Sequence, residues 1–204
     1  MTIGIIDMDM GNIGSVSVAL NQLGVTSRLV RSAQDLQDCD GLILPGVGAF
    51  PEAMSRLRKS GLIQPIQHWA ADGKLLIGIC LGMQLLMASS TELGGASGLD
   101  LIKGKVEGFK SFDPAIRIPH VGWNFASSSG GPEQSFNDDY YFVHSYLCIP
   151  EVEKDILFSS TYEGLEFCSA IRQGSNIFGF QFHPEKSQQA GLNLLRWALQ
   201  DAEK

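Results

Sequence analysis

The chain has no apolar run long enough to cross a bilayer: the longest, Leu75 to Met83, falls well short of the ~18 to 20 residues a spanning helix needs. Cysteine is scarce, four in 204 residues, and none sits at the short paired spacings of a disulfide framework or a zinc site. Basic residues are outnumbered, 15 Lys and Arg against 22 Asp and Glu, for a net charge of -7. Nucleic acid is thereby disfavoured as a main partner, since phosphate binding needs a basic surface. No Pro/Ser-rich linker, charge run, internal repeat or low-complexity segment interrupts the chain, and no G-x-x-x-x-G-K-[ST] loop offers to cradle a phosphate. Met1-Thr2-Ile3-Gly4-Ile5-Ile6-Asp7 lacks the basic start and cleavage site of a signal peptide and reads as a first strand. These absences predict a cytoplasmic protein in a reducing compartment, with no metal, no cofactor and no membrane partner.

What is present suits one α/β domain over residues 1–204. Hydrophobic residues make up 44% of the chain and glycines number 23, a composition for a core with many tight turns. The first ninety residues alternate β-like runs with helical patterns, the rhythm of βαβ units around a parallel sheet. Ile3 to Ile6 is the first strand; Ile13, Val16, Leu20 and Leu23 make one face of a helix ending at Gly24. Ser27 to Val30 and Gly41 to Leu44 read as the next strands. The latter breaks at Pro45-Gly46-Val47-Gly48, Pro51 suits the first turn of a helix, and Pro65 opens another through Trp69 to Ala71. After Gly98 shorter runs, Ile102 to Phe109 and Tyr140 to Tyr146, predict an antiparallel extension of the same sheet. A strand, Ile177 to Phe182, and a helix from about Gln188 to Ala202 close the chain.

Gly78-Ile79-Cys80-Leu81-Gly82 lies between the apolar run Lys74 to Ile77 and the helical run Met83-Gln84-Leu85-Leu86-Met87. Strand, tight turn and helix in that order are the setting of a nucleophile elbow, here with cysteine at its apex. Such a turn strains its central residue, and flanking glycines remove the side chains that would clash. A cysteine there is expected to be exposed, at a helix N-terminus that favours its thiolate. Taken alone, Cys80 is equally readable as a small buried hydrophobe, as are Cys39, Cys148 and Cys168.

The run Phe178-Gly179-Phe180-Gln181-Phe182-His183-Pro184-Glu185 supplies what decides between those readings. Period two puts the three phenylalanines on one face and Gln181, His183 and Glu185 on the other. Functional groups of parallel α/β sheets gather at the carboxyl ends of strands, which is where the elbow places Cys80. A thiolate to attack a carbonyl, an imidazole to move the proton and a carboxylate to orient the ring would then meet: Cys80, His183 and Glu185. The backbone N–H of Leu81 and the Val47-Gly48 loop are the expected oxyanion donors.

Leu44-Pro45-Gly46-Val47-Gly48, Gly78-Ile79-Cys80-Leu81-Gly82-Met83-Gln84 and Gly179-Phe180-Gln181-Phe182-His183-Pro184-Glu185 together resemble the three signature blocks of class I, triad-type glutamine amidotransferases, in the family's order and across nearly the whole chain. The resemblance implies that family's α/β fold, a central mixed and mostly parallel sheet flanked by helices. It also implies hydrolysis of glutamine to glutamate and ammonia through a glutamyl thioester, with Gly48, Gln84, Ser145 and Tyr146 holding the substrate. Within the family, Pro119-His120-Val121-Gly122-Trp123-Asn124 and Tyr141-Phe142-Val143-His144-Ser145-Tyr146 are similar to the branch that feeds ammonia to imidazole glycerol phosphate synthase. That similarity implies a heterodimer with a (β/α)₈ cyclase, a role in histidine biosynthesis, and a position toward the partner for Asn12, His120, Trp123 and Asn124. Other readings compatible with these residues are a relative feeding another synthase, such as one in surface-polysaccharide amidation, and a non-catalytic module or other cysteine hydrolase of the same fold.

Overall fold

The computed structural model describes residues 1–128 and 132–201. In chain order the elements are β1 (Thr2–Ile6), α1 (Ile13–Gln22), β2 (Thr26–Val30), β3 (Gly41–Leu44), α2 (Phe50–Lys59), α3 (Ile63–Ala71), β4 (Leu75–Ile79), α4 (Leu81–Leu85) and β5 (Met87–Ser90). There follow β6 (Ala96–Ser97), β7 (Ile102–Gly108), β8 (His120–Ala126), β9 (Asp138–His144), β10 (Tyr146–Pro150), β11 (Ile156–Tyr162), β12 (Leu165–Gln173), β13 (Ile177–Phe180) and α5 (Gln188–Asp201). Ala202, the expected last residue of the closing helix, lies outside the described residues.

Eleven strands form one mixed sheet in the order β2-β1-β3-β4-β13-β12-β10-β7-β5-β6, with β11 on β12. From β2 to β13 the neighbours are parallel. This half is built from continuous apolar runs because helices cover both faces. Leu42, Leu44 and Leu76 turn to one face, against Phe50, Met54 and Leu57 of α2 and Ile66 and Trp69 of α3. Ile43, Leu75, Ile77 and Ile79 turn to the other, against Val16 and Leu20 of α1 and Leu194, Leu195 and Ala198 of α5. The alternation of the strands thus divides one sheet between two cores. Among the described residues no helix is long and apolar enough to cross a membrane.

Four local expectations are corrected. The run Tyr140 to Tyr146 is not an extension of the main sheet: the chain bends at Ser145, and β9 pairs with β8 in a separate two-stranded sheet, from His120↔His144 to Ala126↔Asp138. Only β10, beyond the bend, joins the large sheet, beside β7. Periodicity reports which face of a strand is buried, not which strand it pairs with. The helical run Met83 to Met87 ends at Leu85, and Met87 opens β5. Leu85 and Leu86 give their carbonyls to the N–H groups of Leu99, Leu101 and Ile102, which a longer helix would have withheld. Pro65 is the third residue of α3, not its first, and the last strand stops at Phe180. Phe182 nevertheless remains buried, its ring stacked on Tyr140 at 4.1 Å.

Candidate active site

The parallel pairing of β4 with β13 sets Ile79 beside Phe180, so both strands release their chains at the same edge. From β4 the chain turns through Cys80, whose φ of 54° and ψ of -111° give the strained apex expected of an elbow. Its N–H is held by the Phe180 carbonyl at 2.7 Å. A Cβ on Gly78 would stand 2.6 Å from the Gly82 carbonyl oxygen, and one on Gly82 would overlap the Leu44 carbonyl oxygen. The glycines are there for close approach of backbone to backbone. From β13 the chain passes Gln181 and Phe182 to His183, whose N–H bonds the Tyr141 carbonyl at 2.8 Å, and a single turn, Pro184–Lys186, brings Glu185 back beneath it. His183 Nδ1 lies 2.7 Å from Glu185 Oε1, both side chains only 1% exposed.

Burial by itself would lower the proton affinity of the His183 ring, but the Cys80 sulfur and the Glu185 carboxylate outweigh it and raise the pKa to about 10. His183 Nε2 makes no hydrogen bond within ordinary limits, yet it lies close enough to Cys80 to feel the sulfur's charge. A buried ring whose proton is held this firmly has the chemistry of a proton donor to a group beside the sulfur. Asn12 Nδ2 reaches Glu185 Oε1 at 3.4 Å, so this residue, expected toward a partner, touches the carboxylate of the triad.

Cys80 was expected to be exposed and is instead 6% exposed, because β9 runs across it and the Val143 carbonyl sits 3.7 Å from its sulfur. It still lines a cavity of about 290 Å³, together with Val47, Gly48, Leu81, Gln84, Ser145 and Tyr146, each singled out in the sequence. Pro119, Val143 and His144, which belong to the two family-like blocks but carried no expected role in the site, line it as well, and so does Glu92, which no motif marked. His183, which interacts with the sulfur, and Glu185 do not form part of the wall. Gly46 presses its backbone against Leu81, which brings the Val47-Gly48 loop to the elbow; Gly48 turns with φ +109°. Among the described residues no group of three or more His, Cys, Asp or Glu is arranged to hold a metal ion.

Trp123 is 50% exposed, in a row with Val121 and Phe125 along the outer face of β8. His120, on the opposite face, is 3% exposed and lies between the rings of Phe142 and Tyr162. Its hydrogen bonds determine its tautomer. His144 Nδ1 must donate to the Tyr146 carbonyl at 2.8 Å, so its Nε2 accepts from His120 Nδ1 at 2.9 Å, and His120 Nε2 accepts from Asn124 Nδ2 at 3.3 Å. Both rings are neutral, burial lowering their pKa values to about 4 for His120 and about 3 for His144. Above pH 6.5 neither state carries these protons and stability is full. As pH falls below 6.5 the unfolded chain takes up two protons that the folded chain refuses, at a cost of about 1.4 kcal/mol per ring per pH unit. A His120→Gln variant should therefore lose stability between pH 6 and pH 5 less steeply than wild type, by one proton. Urea unfolding with equal slopes in the two proteins would refute it.

The model of the family described as glutamine amidotransferase class-I matches residues 4–201. Curated relatives named imidazole glycerol phosphate synthase subunit HisH are similar over almost their whole length. One from Moorella thermoacetica is 43% identical, covering 95% of this chain and 92% of the relative, and one from Streptococcus sanguinis is 46% identical, covering 94% and 92%. A solved structure described as a glutamine amidotransferase superposes with a TM-score of 0.78 at 20% identity over 99% of both chains. The PurLQS structure from Thermotoga maritima does so at 0.73 and 17% over 99% and 97%; both show likeness of fold.

Proposed function

This chain belongs to the class I glutamine amidotransferases, and from that premise we propose that it is the glutaminase subunit of a cytoplasmic imidazole glycerol phosphate synthase, passing ammonia to a separate (β/α)₈ cyclase in histidine biosynthesis. The observation that carries this reading is the cavity whose wall holds Cys80 while His183, bonded to Glu185, interacts with its sulfur.

The chemistry follows from those positions. The Cys80 thiolate adds to the side-chain amide carbon of glutamine, and the oxyanion so formed is met by backbone N–H groups of Leu81 and of the Val47-Gly48 loop, each worth roughly 3 to 4 kcal/mol. His183 gives its proton to the departing nitrogen, ammonia leaves, and a thioester remains. Water attacks that thioester with His183 now acting as base, and glutamate is released. Glu185 holds Nδ1 throughout and steadies the imidazolium. Gly48, Gln84, Ser145 and Tyr146 hold the substrate, and the Glu92 carboxylate on the same wall suits its ammonium group.

The exposed apolar row Val121, Trp123 and Phe125 supports the outer face of β8 as the face toward the cyclase. His120 is buried on the opposite face, where it holds Asn124, so neither of them belongs to that exposed row. The identities of 43% and 46% to synthase subunits favour a cyclase over a sugar-modifying ligase as the recipient of ammonia. Glutamate release should be slow from the isolated chain and rise by about tenfold or more when cyclase and its nucleotide ligand are added, the scale of a ~1.4 kcal/mol coupling. Comparable rates with and without them, or copurification with a ligase instead, would reject this partner.

A further inference from the structure

We propose that Gln181 is a positioning residue for the nucleophile: its side-chain amide donates to the Cys80 sulfur while its carbonyl oxygen takes up the amide of Gln84, linking the seat of the substrate to the thiolate. This rests on Cys80 being the nucleophile.

Gln181 shares its face of the closing run with His183 and Glu185, has 0% exposure, and has no part in the triad chemistry. A buried primary amide must find partners for both ends. The direction of its bonds is fixed from outside. The Tyr146 carbonyl can only accept, so the Gln84 atom 3.2 Å from it is the nitrogen. That same nitrogen lies 3.1 Å from the Gln181 side chain, so the Gln181 atom facing it is the oxygen. The Gln181 atom left to face Cys80 Sγ, at 3.9 Å, is therefore the NH₂ group. Rotating the amide by half a turn would oppose two NH₂ groups and set a carbonyl against the sulfur.

Another polar atom beside the sulfur has the opposite preference. The Val143 carbonyl, 3.7 Å away, accepts from the thiol and repels the thiolate. Gln181 is then a second donor, beside the His183 ring, to hold the sulfur once it has ionised. Gln84, with both N–H bonds given to Tyr146 and Gln181, keeps its own oxygen for the cavity it lines, an acceptor suited to the donor groups of an amino-acid amide.

The test is alkylation of Cys80 by iodoacetamide as a function of pH, followed by mass spectrometry of the Cys80 peptide, in wild type, Gln181→Met and Gln181→Glu. The alkylation midpoint should rise by about one pH unit in Gln181→Met and further in Gln181→Glu, so that below the midpoint the thiolate fraction falls about tenfold. kcat for glutamine should fall with it. A mere loss of packing would lower Tm without moving the midpoint, and unmoved midpoints in folded variants overturn the proposal. Should the variants not fold, the side-chain amide protons of Gln181 in the wild-type chain decide: shifts that follow the Cys80 midpoint support the contact, and shifts that ignore it overturn it. Wild-type labelling by 6-diazo-5-oxonorleucine, blocked by glutamine, separates the two levels. If that protection fails, the nucleophile assignment falls; if it holds while midpoints coincide, only the role of Gln181 falls.

Discussion

Replacing Cys80 by alanine is expected to abolish glutamine hydrolysis, by about 10⁴-fold or more, while glutamine still binds and added ammonium salt still supports the cyclase. The size of the loss follows from the way a triad works as a unit: without the nucleophile, the proton shuttle has nothing to activate, and only binding and the oxyanion donors remain. Binding should survive because Gly48, Gln84, Ser145 and Tyr146 line the cavity independently of the sulfur. His183→Ala should be nearly as damaging. Glu185→Gln should be milder, since an amide oxygen can still accept from Nδ1 and Asn12 lies within reach to orient the side chain. Glutamate release measured in the three variants, and ammonia-dependent turnover with the cyclase, check the series. Residual glutaminase activity in Cys80→Ala, or a ranking with Glu185 above His183, would overturn these roles.

The second large effect concerns folding. Gly82→Ala should destabilise the chain by about 4 kcal/mol or more, because the new Cβ would overlap the Leu44 carbonyl oxygen and lie 2.7 Å from its carbon. Both atoms are backbone, so no rotamer relieves the clash. Leu44 is locked in parallel register with Gly78 of β4, so β3 cannot retreat without breaking the centre of the sheet. The helix α4 must lift instead, and Cys80 moves with it. At roughly 2 to 4 °C per kcal/mol for a chain of this size, Tm should fall by about 8 to 16 °C. Gly24→Ala is the control. Gly24 has φ +74° but nothing within 4 Å of its would-be Cβ, so the cost is only the backbone's, about 1 kcal/mol. Calorimetry giving Gly82→Ala a Tm close to that of Gly24→Ala would show that the approach of α4 to β3 is not needed.

Much of the site was legible before any coordinates. The elbow could be read because glycines at 78 and 82 bracket an apolar strand and a helix start, and that pattern has one steric reason. His183 and Glu185 could be placed together because alternation within a single run needs no knowledge of the rest of the chain. Glu92 could not be found this way, since it reaches the cavity from a segment with no motif of its own, and the family-like blocks that hold Pro119 and Val143 did not say that these two line the cavity. Asn12 was legible only as a family residue, and its bond to Glu185 spans 173 positions. The tautomer chain through His120 and His144 was equally out of reach, since it exists only because β8 and β9 pair.

By itself the sequence determined the elbow at Cys80, the run that sets His183 beside Glu185, and the strand-helix rhythm of the first ninety residues, since each depends on the period of a short run. Tertiary structure alone decided that the Cys80 sulfur is covered rather than exposed, that a second small sheet crosses it, and that Gln181 lies in contact with both Gln84 of the cavity wall and the sulfur. The reason is that a local pattern states which face of a strand is apolar, whereas burial and amide direction depend on what distant part of the chain arrives to cover that face.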